Sequence, residues 1–121
     1  MLKKSFILIL FSLALTACSK PSEQVANDFM NNIKNSKHLE IQESLSSDTF
    51  KMMTMFYGNI SNESLKPYYR SNQLVSYTLH KIGETEKSSR FRVKLKTVSG
   101  QVKTDTIDLI KEDGVWKVSN F

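Results

Sequence analysis

The chain of 121 residues holds a single cysteine and two histidines. One cysteine cannot close an internal disulfide, so whatever folds here is held by packing. His38 and His80 are distant in sequence and make no ligand pair. No Cys/His cluster of zinc spacing, no phosphate-cradling glycine loop and no nucleophile elbow occurs, so no metal is expected. Long apolar runs are missing as well. The stretch from Phe6 to Leu15 meets Ser19-Lys20-Pro21 well before the roughly 20 apolar residues that a membrane-spanning helix requires. Strong charge of one sign is also absent: the formal net charge is +5. It falls to about +3 once Lys3 and Lys4 are removed with a leader, short of the concentrated basic surface of a nucleic-acid binder. Nucleic acid is therefore excluded as a partner.

What is present begins at the N-terminus. Lys3 and Lys4, the apolar run and the small residues after it form the charged, hydrophobic and cleavage regions of a secretory signal. Its last residues, Leu15-Thr16-Ala17-Cys18, resemble at every position the lipobox of bacterial lipoproteins, Leu-(Ala/Ser/Thr)-(Gly/Ala)-Cys. The resemblance implies cleavage between Ala17 and Cys18. It also implies a thioether from Cys18 to diacylglycerol and an N-acyl group on the new terminus, the only non-protein groups expected. A thioether is neither a redox nucleophile nor a metal ligand. The implied location is the bacterial cell envelope. Ser19 follows the cysteine, not the aspartate that in enteric bacteria retains lipoproteins in the inner membrane, so the same resemblance implies the periplasmic face of the outer membrane. Three segments follow: a signal peptide over 1–17, a lipidated tether over 18–21 and a single domain over 22–121. The mature 104 residues suffice for one core.

In that domain Ser22 is a candidate N-cap with Glu23 in the first turn. Val25, Ala26, Phe29, Met30 and Ile33 then recur at helical spacing. Asn35-Ser36 closes this helix, and Ser36 opens a second with Leu39, Ile41 and Leu45 on its apolar side. Ser46-Ser47-Asp48 is a capping cluster before a third helix, 49–57. There Phe50, Met53, Phe56 and Tyr57 share one face and Met52 and Met55 broaden it, as core packing or as the lining of a ligand pocket or partner groove. Between Gly58 and Gln73 the pattern fails. Tyr68-Tyr69-Arg70 in that irregular segment has the apolar bodies and polar tips of a contact surface.

After Gln73 the period becomes two. Val75, Tyr77 and Leu79 alternate with polar residues in a first strand that ends near Ile82-Gly83. In the second, Phe91, Val93 and Leu95 face one way, and Arg90, Arg92, Lys94 and Lys96 form a basic ladder on the other. A three-residue loop, Ser99 to Gln101 with Gly100 in the left-handed conformation, sets Phe91 opposite Leu109, Val93 opposite Ile107 and Arg92 opposite Asp108. Asp113-Gly114 is a two-residue turn placing Val118 against Leu109 and Trp116 near Lys111, with Phe121 on the opposite face. This register puts Asp105 opposite Leu95, on the inner side, where a carboxylate at an apolar rim would serve as a base if its pKa were raised. Its alternative is a water-exposed place near the hairpin end beside Lys103.

Three helices before an antiparallel meander of about four strands make an α+β domain with helices on one face of a curved sheet. The order of elements and the hairpin Lys111-Glu112-Asp113-Gly114-Val115-Trp116-Lys117-Val118 resemble small lipoproteins of the nuclear transport factor 2-like (cystatin-like) superfamily. That resemblance implies a cone-shaped pocket between sheet and helix, with Tyr77, Phe91, Asp105 and Trp116 as its candidate lining. Enzymatic relatives place Asp, His and Tyr inside the cone. Here His80 alternates away from Tyr77 and no inward acid, base and tyrosine set assembles, so no catalytic residue is assigned.

The leading expectation is a noncatalytic, lipid-anchored binding or accessory domain of the envelope. Its partners would be the membrane, through the lipid, and an envelope protein or peptidoglycan-associated component. Arg90, Arg92, Lys94, Lys96, Tyr68, Tyr69 and Arg70 are its candidate contact surface. The alternatives are an immunity or exclusion lipoprotein that neutralises a toxin or mobile-element factor, and a small-molecule isomerase or hydrolase using Asp105.

Overall fold

The computed structural model describes residues 20–58 and 74–121. Residues 1–19, with Cys18, and residues 59–73, with Tyr68, Tyr69 and Arg70, lie outside them. Among the described residues three helices, α1 (Ser22–Lys34), α2 (His38–Ser44) and α3 (Ser47–Tyr57), precede four strands, β1 (Leu74–Glu84), β2 (Ser88–Thr97), β3 (Val102–Glu112) and β4 (Val115–Asn120). The strands form one antiparallel sheet in the order β1-β2-β3-β4. The fold class is α+β, as the change of period in the sequence indicates.

α1 forms because Val25, Ala26, Phe29, Met30 and Ile33 fall on one stripe, and all are buried. Glu23 in its first turn and Lys34 in its last both suit the helix dipole. The N-cap is Pro21, not Ser22. Ser22 is already helical, and its buried hydroxyl donates to Glu84 instead of capping. At the other end Ser36 takes φ 56°, which turns the chain and prevents it from opening the next helix, so α2 starts at His38. In α2, Ile41 is buried while Leu39 is 64% exposed. Positions two apart on a helix are about 200° apart and cannot share a face. Leu45 leaves the helix in extended conformation and bridges Val118 of β4.

α3 is fixed by its first turn. Ser46 accepts from the Thr49 amide, its own amide donates 2.8 Å to the Val118 carbonyl, and the Thr49 hydroxyl donates 2.7 Å to the Ser119 carbonyl. Of the apolar residues expected inside, Met53 is buried, but Phe50, Met52, Met55 and Phe56 are exposed, Phe56 by 73%.

The sheet carries the sequence's alternation with three adjustments. β2 alternates strictly, with Phe91, Val93 and Leu95 buried and the basic residues out. The β2–β3 loop has three residues, but they are Val98, Ser99 and Gly100. The Thr97 amide bonds the Gln101 carbonyl, and Gly100 holds φ 83°. Pairing is therefore displaced by two from that expected: Phe91 faces Ile107, Arg90 faces Asp108 and Val93 faces Asp105. An even displacement keeps every residue on its expected side. In β1 the pairing with β2 slips between Leu74 and Ser76 and again between Lys81 and Gly83, leaving Val75 and Ile82 as the extra residues. In β4 it slips between Val118 and Asn120, opposite Asp108/Leu109. Each slip is a bulge that reverses which face the following residues occupy. Phe121 is thereby carried to the inner face, not the outer, and its ring meets Phe29 edge-on at 5.0 Å. The last hairpin is as expected: Asp113 and Gly114 both have positive φ, Val118 pairs Leu109 and Trp116 pairs Lys111.

The core lies between α1 and the inner face of the sheet, where Phe29, Met30, Ile33, Phe91, Val93, Ile107 and Leu109 are shut off from water. Phe29→Ala is expected to lower the unfolding free energy by about 3–5 kcal/mol, against about 0.5 kcal/mol or less for Leu39→Ala. Urea denaturation would measure both, and equal losses would refute this placement of the core.

Candidate functional site

Among the described residues no groove is lined by all four of the residues expected to line a cone pocket. Phe91 is buried against Ile107, and Trp116 is packed in the core with Lys111 Nζ 5.1 Å from its ring centre. Tyr77 is half-buried, and its hydroxyl is engaged by Asn27, donating 2.8 Å to Oδ1 and 3.0 Å to the backbone carbonyl. Burial and, secondarily, the charge of Asp28 push that phenol above its ordinary pKa, which keeps it a neutral donor. Asp105 shares the side of Val93 but is exposed, and its Oδ1 accepts 2.8 Å from the Thr106 amide. It is the water-exposed alternative of the two that the sequence left open, though it stands opposite Val93 rather than Leu95.

Three other surfaces emerge. The first is a polar cluster where the N-terminus of α1 meets the end of β1. The bulge at Ile82 turns Glu84 inward, where it pairs with Ser89 and accepts from Ser22. Ser89 in turn donates 3.3 Å to Ser22. Lys81 sits between carboxylates, in contact with Glu23, 3.3 Å from Glu84 and 5.9 Å from the Phe91 ring centre. The Ser22 hydroxyl, then Ser89 and Lys81, hold Glu84 below the usual carboxylate range. The bond from Lys81 does the same for Glu23, and these carboxylates raise Lys81 in return.

The second is a groove of about 650 Å³ between α1, α2 and β4, with Asp28, Asn32, Glu40, Glu43 and Trp116 in its wall and Lys20 at its margin. Lys20 reaches Asp28 at 3.3 Å, and Lys117 closes one side by donating 2.6 Å to the Glu43 carbonyl. Sequence reading did not gather these polar helix positions. The signal available was the run of polar residues Asp28, Asn31 and Asn32 on one flank of α1, but nothing in it tells which element lies alongside.

The third is the outer face of the sheet. There the basic ladder stands as expected, with one member neutralised: Arg90 grips Asp108 through Nε at 2.6 Å and Nη2 at 3.3 Å. Arg92, Lys94 and Lys96 are exposed and oppose His80, Thr78 and Ser76 on β1 and Thr106, Thr104 and Val102 on β3. Among the described residues no group of three or more metal-binding side chains occurs, and no helix is long and apolar enough to cross a membrane.

The cluster at Glu84 makes stability depend on pH. Carboxylates whose folded pKa is depressed contribute fully above their unfolded pKa and lose that contribution as pH falls through the folded value. Urea midpoints should therefore drop between about pH 5 and pH 3, and Glu84→Gln should flatten the slope. Glu112, held low by the Ser47 amide and hydroxyl, retains part of it. An unchanged slope in Glu84→Gln would show that Glu84 contributes nothing to the pH dependence. Lys81, raised by the same pairs, adds stability below its folded pKa that is lost only in strong alkali.

A search of curated proteins gives no match to this chain. Residues 16–119, most of the sequence and all the described strands but the last residue of β4, match the family described as a domain of unknown function, DUF4878. The chain, whose described residues form three helices packed on a four-stranded antiparallel sheet, belongs to that family.

Proposed function

We propose that this protein is a lipid-anchored, noncatalytic binding domain of the bacterial envelope, nuclear transport factor 2-like in fold, with Cys18 as its anchor. The reading rests first on the N-terminal sequence, in which a short signal ends in a complete lipobox and the only cysteine of the chain stands at the acylation position. The family match begins at residue 16 and so takes in Ala17 and Cys18.

One observation carries the noncatalytic part: the space between helix and sheet, where a pocket enzyme would hold substrate, is occupied by Phe29, Met30, Phe91, Trp116 and Phe121. Asp105, the one acid proposed as a base, lies in water with its carboxylate turned to a backbone amide. Recognition would then use the outside of the domain, its groove and its charged face. Only Ser19, Lys20 and Pro21 separate the lipidated residue from α1, so the groove, which Lys20 borders, would work close to the bilayer.

Cys18→Ser is expected to move the protein from the membrane fraction to the soluble fraction and to abolish incorporation of labelled fatty acid. A Cys18→Ser protein that is processed normally and still sediments with membranes would overturn the anchor. Photocrosslinking in cells from Lys94 and from Asn32, followed by mass spectrometry, would identify the bound component. A substrate-like small molecule turned over by the purified protein and lost in Asp105→Asn would overturn the noncatalytic reading.

A further inference from the structure

We infer that the outer face of the sheet is the docking surface for an acidic, extended protein segment, and that it is turned away from the bilayer that anchors the domain. The second half rests on Cys18 being the anchor; the first does not. α1 packs on the inner face through Phe29, Met30 and Ile33, and no described element covers the outer face.

Along its middle runs β2 with Arg92, Lys94 and Lys96. Their cross-strand neighbours are hydroxyls, an imidazole and one valine, and the nearest carboxylate on that face, Asp108, is already taken by Arg90. The three cations are therefore uncompensated among the described residues, with Thr78, Thr104 and Thr106 beside them as neutral hydrogen-bonding groups.

Spacing selects the partner. Alternate side chains on one face of a strand repeat about every 6.6 Å. An extended peptide carrying a carboxylate at every second residue has the same repeat, so its acids would meet Arg92, Lys94 and Lys96 one to one. The flanking hydroxyls lie one strand away on either side, about 4.8 Å, within reach of the peptide's polar groups.

Geometry also decides between an acidic protein and the headgroups of the anchoring membrane. Lys20 lies in the helix layer, at the groove margin and paired with Asp28. Cys18 is two residues further on, a reach of at most about 7 Å. The outer face is on the other side of the sheet from a helix about 10 Å across, and its side chains point further still. So short a tether holds the helix layer at the bilayer and leaves the basic face in the aqueous space.

The test uses the full lipidated protein in phosphatidylcholine vesicles and a fluorescent peptide of about a dozen residues alternating glutamate and threonine. Binding should weaken at least tenfold in the variant Arg92→Gln/Lys94→Gln/Lys96→Gln. It should fall steeply with salt and stay unchanged in Lys34→Gln/Lys51→Gln, with the same urea midpoint in all three proteins. Equal binding by the triple variant would overturn the docking surface. For orientation, Thr104→Cys supplies the only free thiol, since Cys18 carries lipid. It should react with an impermeant maleimide equally fast on vesicles with and without phosphatidylglycerol, and protection by phosphatidylglycerol would make headgroups the occupant and overturn the inference. A Cys18→Ser protein that still floats with vesicles would refute the anchor while leaving the peptide result standing, so the two failures are distinguishable.

Discussion

The alternation of β2 is the constraint on which the other elements depend. Its odd-numbered residues Phe91, Val93 and Leu95 are buried and its even-numbered residues from Arg90 to Lys96 are charged, so the strand has one orientation only. A slip of one residue would put four cations into the core and three large apolar groups into water. Magnitudes show which side governs. Burial of each apolar side chain contributes about 1.5–3 kcal/mol. Two adjacent cations about 6.6 Å apart in water repel by about 0.6 kcal/mol, before salt screens them further. The core therefore sets the register, and the basic face is tolerated. β3 follows through Ile107 and Leu109, and α1 covers both strands with Phe29, Met30 and Ile33.

Where that strict alternation gives way, polar function collects. β1 has to reconcile a partner of fixed register with a core that ends before the strand does. Its two bulges, at Val75 and Ile82, achieve this by changing face within a single element. The first lets Leu74 pair inward with Thr97 while Tyr77 and Leu79 remain on the core side. The second brings Glu84 to the inner side beside Ser89, where the apolar core has run out and Ser22 supplies a donor. Lys81, on the same side, sets its ammonium between Glu23 and Glu84 and over the Phe91 ring, so the rim of the core is sealed by ions rather than by more apolar surface. The bulge in β4 acts in the apolar direction and turns Phe121 back onto Phe29.

These departures mark the limit of what the sequence made legible. The order of elements, the inner and outer faces of β2, the Asp113-Gly114 turn and the pairing of Val118 with Leu109 follow from periodicity and turn chemistry, which are local. Loop length was legible too, but its placement was not. Val98 and Gln101 compete for the same role, and only the bond from the Thr97 amide to the Gln101 carbonyl settles it. Bulges leave no signature in a two-residue period until the partner strand is known, so the inward turns of Glu84 and Phe121 were hidden. The groove beside Trp116 was hidden for a related reason: Asp28, Asn32, Glu40 and Glu43 come from two helices whose relative placement no pattern encodes.

α3 shows the same division between local and distant causes. Its capping serines were readable, yet what fixes the helix is their use of β4 and of the β3–β4 hairpin. Ser47 gives both its amide and its hydroxyl to Glu112 at 2.8 Å, which places a carboxylate at the positive end of the helix and draws the Glu112 pKa down. With Ser46 on the Val118 carbonyl and Thr49 on the Ser119 carbonyl, the first turn is tied at three points, one on β3 and two on β4. Beyond that turn Met53 is the buried anchor, and Met52, Met55 and Phe56 project outward. A helix fixed at its polar end needs little apolar burial along its length. Of the methionines and phenylalanines that were ambiguous in sequence between core and contact, only Met53 is core.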